Sequence, residues 1–192
     1  MDSRILAALE DLGLLLEQDK TLPNVVSLVT GESLKTTWWS HPQAHLIFHT
    51  LTELADHPDV LTTKLMAGKV TFVHRDLWSA LLAVALSREP WQLRSLSPAA
   101  RRLLAETENL GSVDASGPAA KELATRLLVH SQEVHGDTGA HRLVLEPWSV
   151  WATRTHCTPL SSVDTARQLL TEAAQRLGAP ARGLPWHRLV TH

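Results

Sequence analysis

The chain has 192 residues, and its 18 Lys and Arg side chains against 20 Asp and Glu give a formal net charge of −2. With 44% hydrophobic and 20% charged residues, its composition is that of a globular protein and excludes collagenous, disordered and membrane-spanning classes. One cysteine and no tyrosine exclude an intramolecular disulfide and any chemistry that needs a phenol. No targeting segment is recognised, so we expect a soluble, cytoplasmic protein without a membrane partner.

The first part of the chain predicts helices followed by a hairpin. Apolar residues recur at helical spacing over 3–18, and two further helices are predicted from Pro23 to Thr30 and over 41–56. The β-prone runs 60–66 and 69–74 then flank Ala67-Gly68, which predicts a β-hairpin. The order helix–helix–helix–hairpin is similar to a winged helix in its layout, and layout alone does not imply function.

The remaining segments predict a second hairpin among further helices. The predicted elements are helices over 75–87, 97–109 and 163–177, a hairpin of 127–135 with 141–145, and an extended tail from Gly178. The fold class is therefore α+β, helix-rich with two β-hairpins and a winged-helix-like N-terminal part. We expect a first domain at 1–110, a small polar linker at 111–118, and a smaller hairpin-plus-helix subdomain at 119–192.

The balanced net charge hides an uneven distribution along the chain. Residues 1–59 carry a formal charge of −6, residues 60–105 carry +5, and residues 106–192 carry −1. A basic block of this kind is typical of a phosphate-binding surface, because Lys and Arg supply most phosphate contacts. The candidate nucleic-acid-binding residues are Lys64, Lys69, His74, Arg75, Arg94, Arg101 and Arg102. The alternative is that this block pairs with the acidic first third inside the same fold.

The third predicted helix argues against one mode of nucleic-acid binding, the reading of bases in the major groove. In a helix-turn-helix protein this helix would enter the major groove, yet residues 41–56 contain no Lys or Arg and carry Glu53 and Asp56. The sequence therefore favours contacts to the backbone over the reading of bases in a duplex. Trp91 lies between Arg88 and Arg94, where an indole could stack on unpaired bases, and its alternative role is core packing, which we expect for Trp78.

Two groups of histidines are candidates for a metal site. His41, His45, His49 and Glu53 are spaced by four residues, so that His45 and His49 could grip one ion from one helix face. A third ligand is missing from this pattern, and an ordinary polar helix flank explains it as well. Glu133, His135, Asp137 and His141 surround the predicted turn of the second hairpin, where a polar turn is the alternative.

The sequence thus carries three hypotheses of different classes. We predict a nucleic-acid-associated, DNA-binding or regulatory protein that uses the basic segment 64–102 and needs no cofactor. The alternatives are a metal-dependent hydrolase or DNA-processing enzyme that uses its histidines with a divalent metal, and a protein-interaction module. The expected partners are accordingly nucleic acid, another protein or a second copy. No P-loop, G-x-G-x-x-G or G-x-S-x-G motif occurs, so whether the protein is an enzyme stays open.

Overall fold

The computed structural model of the chain describes residues 2–135 and 141–188 and confirms a helix-rich α+β fold with two three-stranded antiparallel sheets. The chain forms two compact units. Unit 1 consists of Met1–Trp78 with Gln168–Leu184, and unit 2 of Ser79–Arg167 with Pro185–His192. The division predicted at residues 111–118 stays a prediction.

Unit 1 contains the first sheet and the helices around it. Its helices are α1 (Ser3–Leu12), α2 (Val25–Thr30), α3 (Ala44–Ala55) and residues 168–176 of the helix Val163–Arg176, with 3-10 turns at Trp38–Ser40, Arg75–Leu77 and Ala181–Gly183. Its strands are β1 (Leu14–Leu16), β2 (Val60–Thr63) and β3 (Thr71–His74), in the order β1-β3-β2. Val60 faces His74 and Thr63 faces Thr71, which confirms the first predicted hairpin.

The prediction of one helix over residues 3–18 is wrong, because the helix ends at Leu12. Gly13 follows with φ +77°, a left-handed conformation that ends the helix, and its N–H donates to the carbonyl oxygen of Leu9 at 2.7 Å. The chain then enters β1, where Leu14 pairs with Val73. The leucines of this stretch are all buried, and a run of apolar residues fits a covered strand as well as a helix.

A strand between the first two helices also changes the predicted element order. The hairpin still follows three helices, but β1 joins it as a third strand, next to β3. The core of unit 1 accordingly packs α1 and α2 against the sheet, with Ile5, Leu9, Val25 and Phe72 among its buried side chains. The winged-helix likeness of this part stays a prediction.

Unit 2 contains the second sheet. Its helices are α4 (Trp78–Leu86, entered from unit 1), α5 (Pro90–Leu93), α6 (Pro98–Leu110), α7 (Gly117–Thr125), α8 (Trp148–Thr155), the first residues of α9 (Val163–Arg176), and α10 (Pro185–Arg188). Its strands are β4 (Val113–Asp114), β5 (His130–His135) and β6 (His141–Glu146), in the order β4-β6-β5. His130 faces Glu146 and His135 faces His141, which confirms the second predicted hairpin.

Three stretches of unit 2 are more regular than their sequence indicates. Val113, inside the predicted linker, pairs with Leu145 of the second sheet. Trp148 and Trp151 lie on one face of a helix and are both buried, where the sequence predicts only a short turn. The tail that we expect to be extended instead forms α10, whose Trp186 is buried beside Trp91, with 6.3 Å between the ring centroids.

Candidate nucleic-acid interface

The predicted basic residues fall into both units, and those of unit 1 are largely engaged by acids. Lys69 Nζ lies 2.5 Å from Asp19 Oδ2, and Arg75 Nη1 lies 2.5 Å from Asp59 Oδ1. Both acids come from the acidic first third of the chain. For Lys69 and Arg75 the alternative interpretation of the charge pattern is therefore the observed one. Lys64 is half-buried and has no carboxylate partner among residues 2–135 and 141–188.

His74 is positioned by the fold of unit 1 and lies close to an acid. Its Nδ1 is 3.2 Å from Oδ2 of Asp76, but this nitrogen is buried and the alignment does not make a hydrogen bond. The exposed carboxylate of Asp76 thus lies beside His74. A phosphate approaching His74 would have to approach this carboxylate as well.

The basic residues of unit 2 are placed differently. Arg94, Arg101 and Arg102 are exposed, and no described residue offers any of them a carboxylate partner. Arg88, by contrast, forms an ion pair with Glu108. These three arginines all belong to the connection between α5 and α6 or to the first half of α6. This region, residues 90–102, is called the α5–α6 corner below.

Gln92 fixes the start of the α5–α6 corner. Its side chain is fully buried, and its amide nitrogen donates to the carbonyl oxygen of Ala85 at 3.1 Å. Its amide oxygen accepts hydrogen bonds from the Glu89 N–H at 2.9 Å and from the Ser87 hydroxyl at 3.1 Å. Glu89 and Gln92 also form a capping box at the start of α5. A buried amide satisfied in this way holds the backbone around it rigidly.

Arg126 fixes the other end of α5 from the region after α7. Its Nη1 donates to the carbonyl oxygens of Trp91 at 2.9 Å and Arg94 at 2.8 Å, groups that a helix end leaves without a helical partner. Ser95 then turns the chain with φ +56°, which is uncommon for a residue with a side chain. Hydrogen bonds therefore hold the backbone of the α5–α6 corner in place, and Arg94 projects from this fixed backbone.

A shallow cleft of about 230 Å³ lies along the α5–α6 corner. Its walls are mainly apolar, and Arg101 contributes a guanidinium group whose Nε donates to the carbonyl oxygen of Leu96 at 3.1 Å. Glu108, the acid that also lines the cleft, is held by Arg88. The cleft is lined by Leu93, Leu96, Arg101, Leu104, Ala105 and Glu108. It combines apolar surface with positive charge, a pairing that the sequence pattern did not reveal.

The tryptophans take roles that the sequence left open. Trp91 is buried, and its Nε1–H donates to Glu89 Oε2 at 2.9 Å, so this indole packs in the core and does not face a ligand. Trp78 is buried as expected, with its Nε1–H on the carbonyl oxygen of Val73. Trp39, in unit 1, is 61% exposed and stacks on the buried Trp38 at 3.9 Å between ring centroids.

His45 and His49 keep the predicted spacing on one helix face, but no third ligand joins them among the described residues. His45 and His49 are exposed on α3, and their ring centroids are 4.4 Å apart. Within the described part of the chain, no three His, Cys, Asp or Glu side chains come together as a metal site would require. The predicted role of these two histidines as metal ligands stays a prediction.

The described members of the second histidine group belong to the end of β5 and the start of β6. Asp137 lies outside the described residues, and the structure describes the backbone of Glu133, His135 and His141 but not their side chains. Only the register is fixed there, with His135 opposite His141. Metal binding at this turn stays a prediction.

The structure shows an ionic cluster at the opposite end of the same hairpin. His130 Nδ1 lies 2.9 Å from Glu146 Oε1, and Arg154 pairs with the same carboxylate. Burial acts to raise the pKa of Glu146, but the hydrogen bonds from His130 and Arg154 outweigh it and lower that pKa below its ordinary value. Trp148 and Trp151 pack against His130, at 5.4 and 6.0 Å between ring centroids. The hairpin register contains the signal for this cluster, since it places His130 opposite Glu146.

No described helix is long and apolar enough to cross a membrane. Comparison of the chain with protein-family models, with curated proteins and with solved structures found no match.

Proposed function

We propose that the protein binds nucleic acid through phosphate contacts made by Arg94, Arg101 and Arg102. The proposal depends on one observation: these three guanidinium groups are exposed at the α5–α6 corner, and none of them forms an ion pair with a described carboxylate. A guanidinium group matches the geometry of phosphate oxygens and stays charged at every physiological pH. Unpaired arginines on a rigid backbone are therefore suited to hold a polyanion.

The proposed binding does not read the sequence of a duplex. Helix α3, which would enter the major groove, carries no Lys or Arg. The three arginines belong to the α5–α6 corner, and we propose that they contact phosphates, which carry no sequence information. Lys69 and Arg75 would have to leave Asp19 and Asp59 before they could bind a phosphate. The contacts predicted for Lys64, Lys69, His74 and Arg75 therefore stay predictions outside this proposal.

The test replaces all three arginines by alanine and measures the fluorescence anisotropy of a labelled, mixed-sequence single strand at low salt. We expect binding to weaken at least about tenfold, which corresponds to about 0.5 kcal/mol for each contact. The matched control replaces Lys20, Lys35 and Lys121, three exposed lysines without a carboxylate partner among the described residues, by alanine. It changes the net charge equally and should bind like the unmodified protein.

Two results would contradict the proposal. The first is that the unmodified protein does not bind the strand even at low salt. The second is that the lysine control loses as much affinity as the arginine variant, because binding would then follow the net charge and not these three residues.

A protein-interaction role is the second candidate, and the exposure of Trp39 and Leu46 in unit 1 favours it. The ring centroid of Trp39 also lies 6.3 Å from that of Phe48, and contiguous apolar side chains on a surface are typical of contacts between proteins. If a second copy covers them, light scattering should show a concentration-dependent dimer that Trp39→Ala dissociates. A monomer at every concentration would exclude self-association through this surface.

A further inference from the structure

We infer that the cleft at the α5–α6 corner takes an unpaired nucleobase, so that the preferred ligand is single-stranded and not duplex nucleic acid. The inference rests on the proposed function, because the phosphate contacts of the arginines bring the strand to the cleft. Beyond the proposed function, the inference specifies the class of ligand, a single strand, and the cleft as the site that holds a base.

The walls of the cleft suit the flat, weakly polar face of a base. Leu93 is 39% exposed, while Leu96 and Leu104 are buried in the core of unit 2 and form fixed apolar surface. In a duplex the faces of the bases are covered by their stacked neighbours, whereas in a single strand they are free to pack on protein side chains. An apolar cleft beside phosphate contacts therefore discriminates between the two forms.

The charges around the cleft favour an anionic strand. Arg101 lines the cleft, and its bond to the carbonyl oxygen of Leu96 fixes the guanidinium plane against the wall, where it can stack on a base or hold a phosphate. Arg88 occupies the Glu108 carboxylate, which would otherwise repel a phosphate. The positive charge of the cleft is thus complementary to a polyanion and not to a neutral or basic peptide.

The cleft is also fixed before a ligand arrives. Gln92 and Arg126 hold the α5 backbone by the hydrogen bonds described above, and Leu96 and Leu104 pack with Ala100 in one core cluster. A preformed site loses little conformational freedom on binding, so a single stacked base contributes to affinity.

The test compares an intact single strand with an abasic strand of the same length, which keeps every phosphate and lacks the bases, and with a duplex. We expect the unmodified protein to bind the intact strand about tenfold more tightly than the abasic strand. The duplex should bind more weakly than the intact single strand. Leu93→Ala, which removes an apolar wall, and Ala105→Phe, which fills the cleft, should each lower binding of the intact strand to the abasic level.

Leu110→Ala is the matched control, because Leu110 is 67% exposed near the end of the same helix and does not line the cleft. It should keep the full preference for the intact strand. Ala105 and Leu93 are both exposed, and a thermal melt of each variant shows that it folds. If one of the two variants unfolds, the other still tests the cleft.

The outcomes separate the inference from the proposed function. Equal affinity for intact and abasic strands, with binding still lost in the arginine variant, would overturn the inference and leave the proposed function standing. The inference would also be overturned if both cleft variants folded and kept the preference for bases. Absence of arginine-dependent binding to any of the three probes would overturn both.

Discussion

Lys69 shows how a basic residue can serve the fold and not a ligand. Its ammonium group binds Asp19, whose carboxylate also accepts hydrogen bonds from the backbone N–H groups of Thr21 and Leu22. Burial acts to raise the pKa of Asp19, but the hydrogen bonds from Lys69, Thr21 and Leu22 outweigh it and lower the pKa from 3.8 to about 2. Asp19 thereby connects the loop before α2 to the turn of the first hairpin.

We predict that Asp19→Asn lowers the free energy of unfolding at neutral pH by about 2 kcal/mol. This is the free energy that corresponds to the lowering of the Asp19 pKa from 3.8 to about 2. Because the pKa of Asp19 is depressed in the folded state, its stabilisation is complete above about pH 4 and is lost as the pH falls towards 2. Urea unfolding at several pH values should therefore show the two proteins converging in acid. The control Glu10→Gln, at an exposed position of α1, should unfold at nearly the same urea concentration as the unmodified protein at each pH. A difference that persists at pH 2 would contradict the assignment.

Glu146 has a comparable role in unit 2. The pKa of its carboxyl lies below the ordinary value because His130 and Arg154 hold the ionised form, against the opposing effect of burial. We predict that Glu146→Gln destabilises unit 2 by about 1–3 kcal/mol, as expected when a charge-assisted hydrogen bond is lost and its partner stays buried. Tryptophan fluorescence in urea measures this, since Trp148 and Trp151 pack on His130. Glu106→Gln, on the exposed face of α6, should change stability little; an equal loss there would contradict the prediction.

At the level of elements, Arg126 stabilises the end of α5 and thereby the backbone on which the proposed function depends. Its guanidinium group donates hydrogen bonds to the carbonyl oxygens of Trp91, inside α5, and Arg94, just after the end of α5. Both bonds come from Nη1, while Nε of the same group lies 3.7 Å from Glu122 Oε1. A lysine keeps the charge but has one nitrogen on a shorter side chain, so it cannot serve the carbonyl oxygens and Glu122 together. The Arg126 side chain therefore supports the corner from which Arg94 projects.

We predict that Arg126→Lys lowers the free energy of unfolding of unit 2 by about 1–3 kcal/mol and weakens nucleic-acid binding, although Arg94, Arg101 and Arg102 are unchanged. Hydrogen exchange should show faster exchange over residues 90–97. Arg142→Lys, an exposed arginine that pairs with Asp114, is the control that preserves charge in the same unit. Unchanged exchange together with unchanged binding would show that the α5–α6 corner does not need this support.

Local signals predicted some of these elements well and others poorly. Both hairpins are predicted because turn residues separate two β-prone runs, and the helix at 98–110 because Ser97 caps it and Gly111 ends it. The strand β1 is missed because three consecutive leucines satisfy a helix and a covered strand equally, and only pairing with β3 decides between them. The helix α8 is missed because Pro147 resembles the end of an element, although it immediately precedes the helix.

The candidate site was predictable only in part. The density of Arg and Lys over 64–102 identifies Arg94, Arg101 and Arg102, but Lys69 and Asp19 are 50 residues apart, and only the tertiary fold shows that they pair. The cleft depends on which leucines of α5 and α6 the core leaves uncovered. Periodicity places such residues on a face and does not show what covers that face.

For the whole molecule, a net charge of −2 would argue against a nucleic-acid ligand if charge acted only as a sum. The ion pairs of Lys69 and Arg75 remove positive charge within unit 1, whereas the arginines of the α5–α6 corner in unit 2 keep theirs. Salt screens exposed charges beyond about 10 Å at 0.1 M ionic strength, so a bound phosphate responds to the charges within that distance more than to the sum over the chain. Local contacts and net charge therefore make different predictions for the effect of salt.

If three phosphates are contacted, the logarithm of the association constant for a single strand should fall with the logarithm of salt concentration with a slope of about −2, since each contact contributes about −0.7. Replacement of Arg94, Arg101 and Arg102 by alanine should bring the slope close to zero. The variant that lacks Lys20, Lys35 and Lys121 has the same net charge and should keep a slope of about −2. Binding isotherms over a salt series measure all three proteins, and equal slopes for the two variants would mean that the arginines are not the contacts. The slope counts the ions released where the strand binds, and so distinguishes a local arginine surface from the overall charge of the molecule.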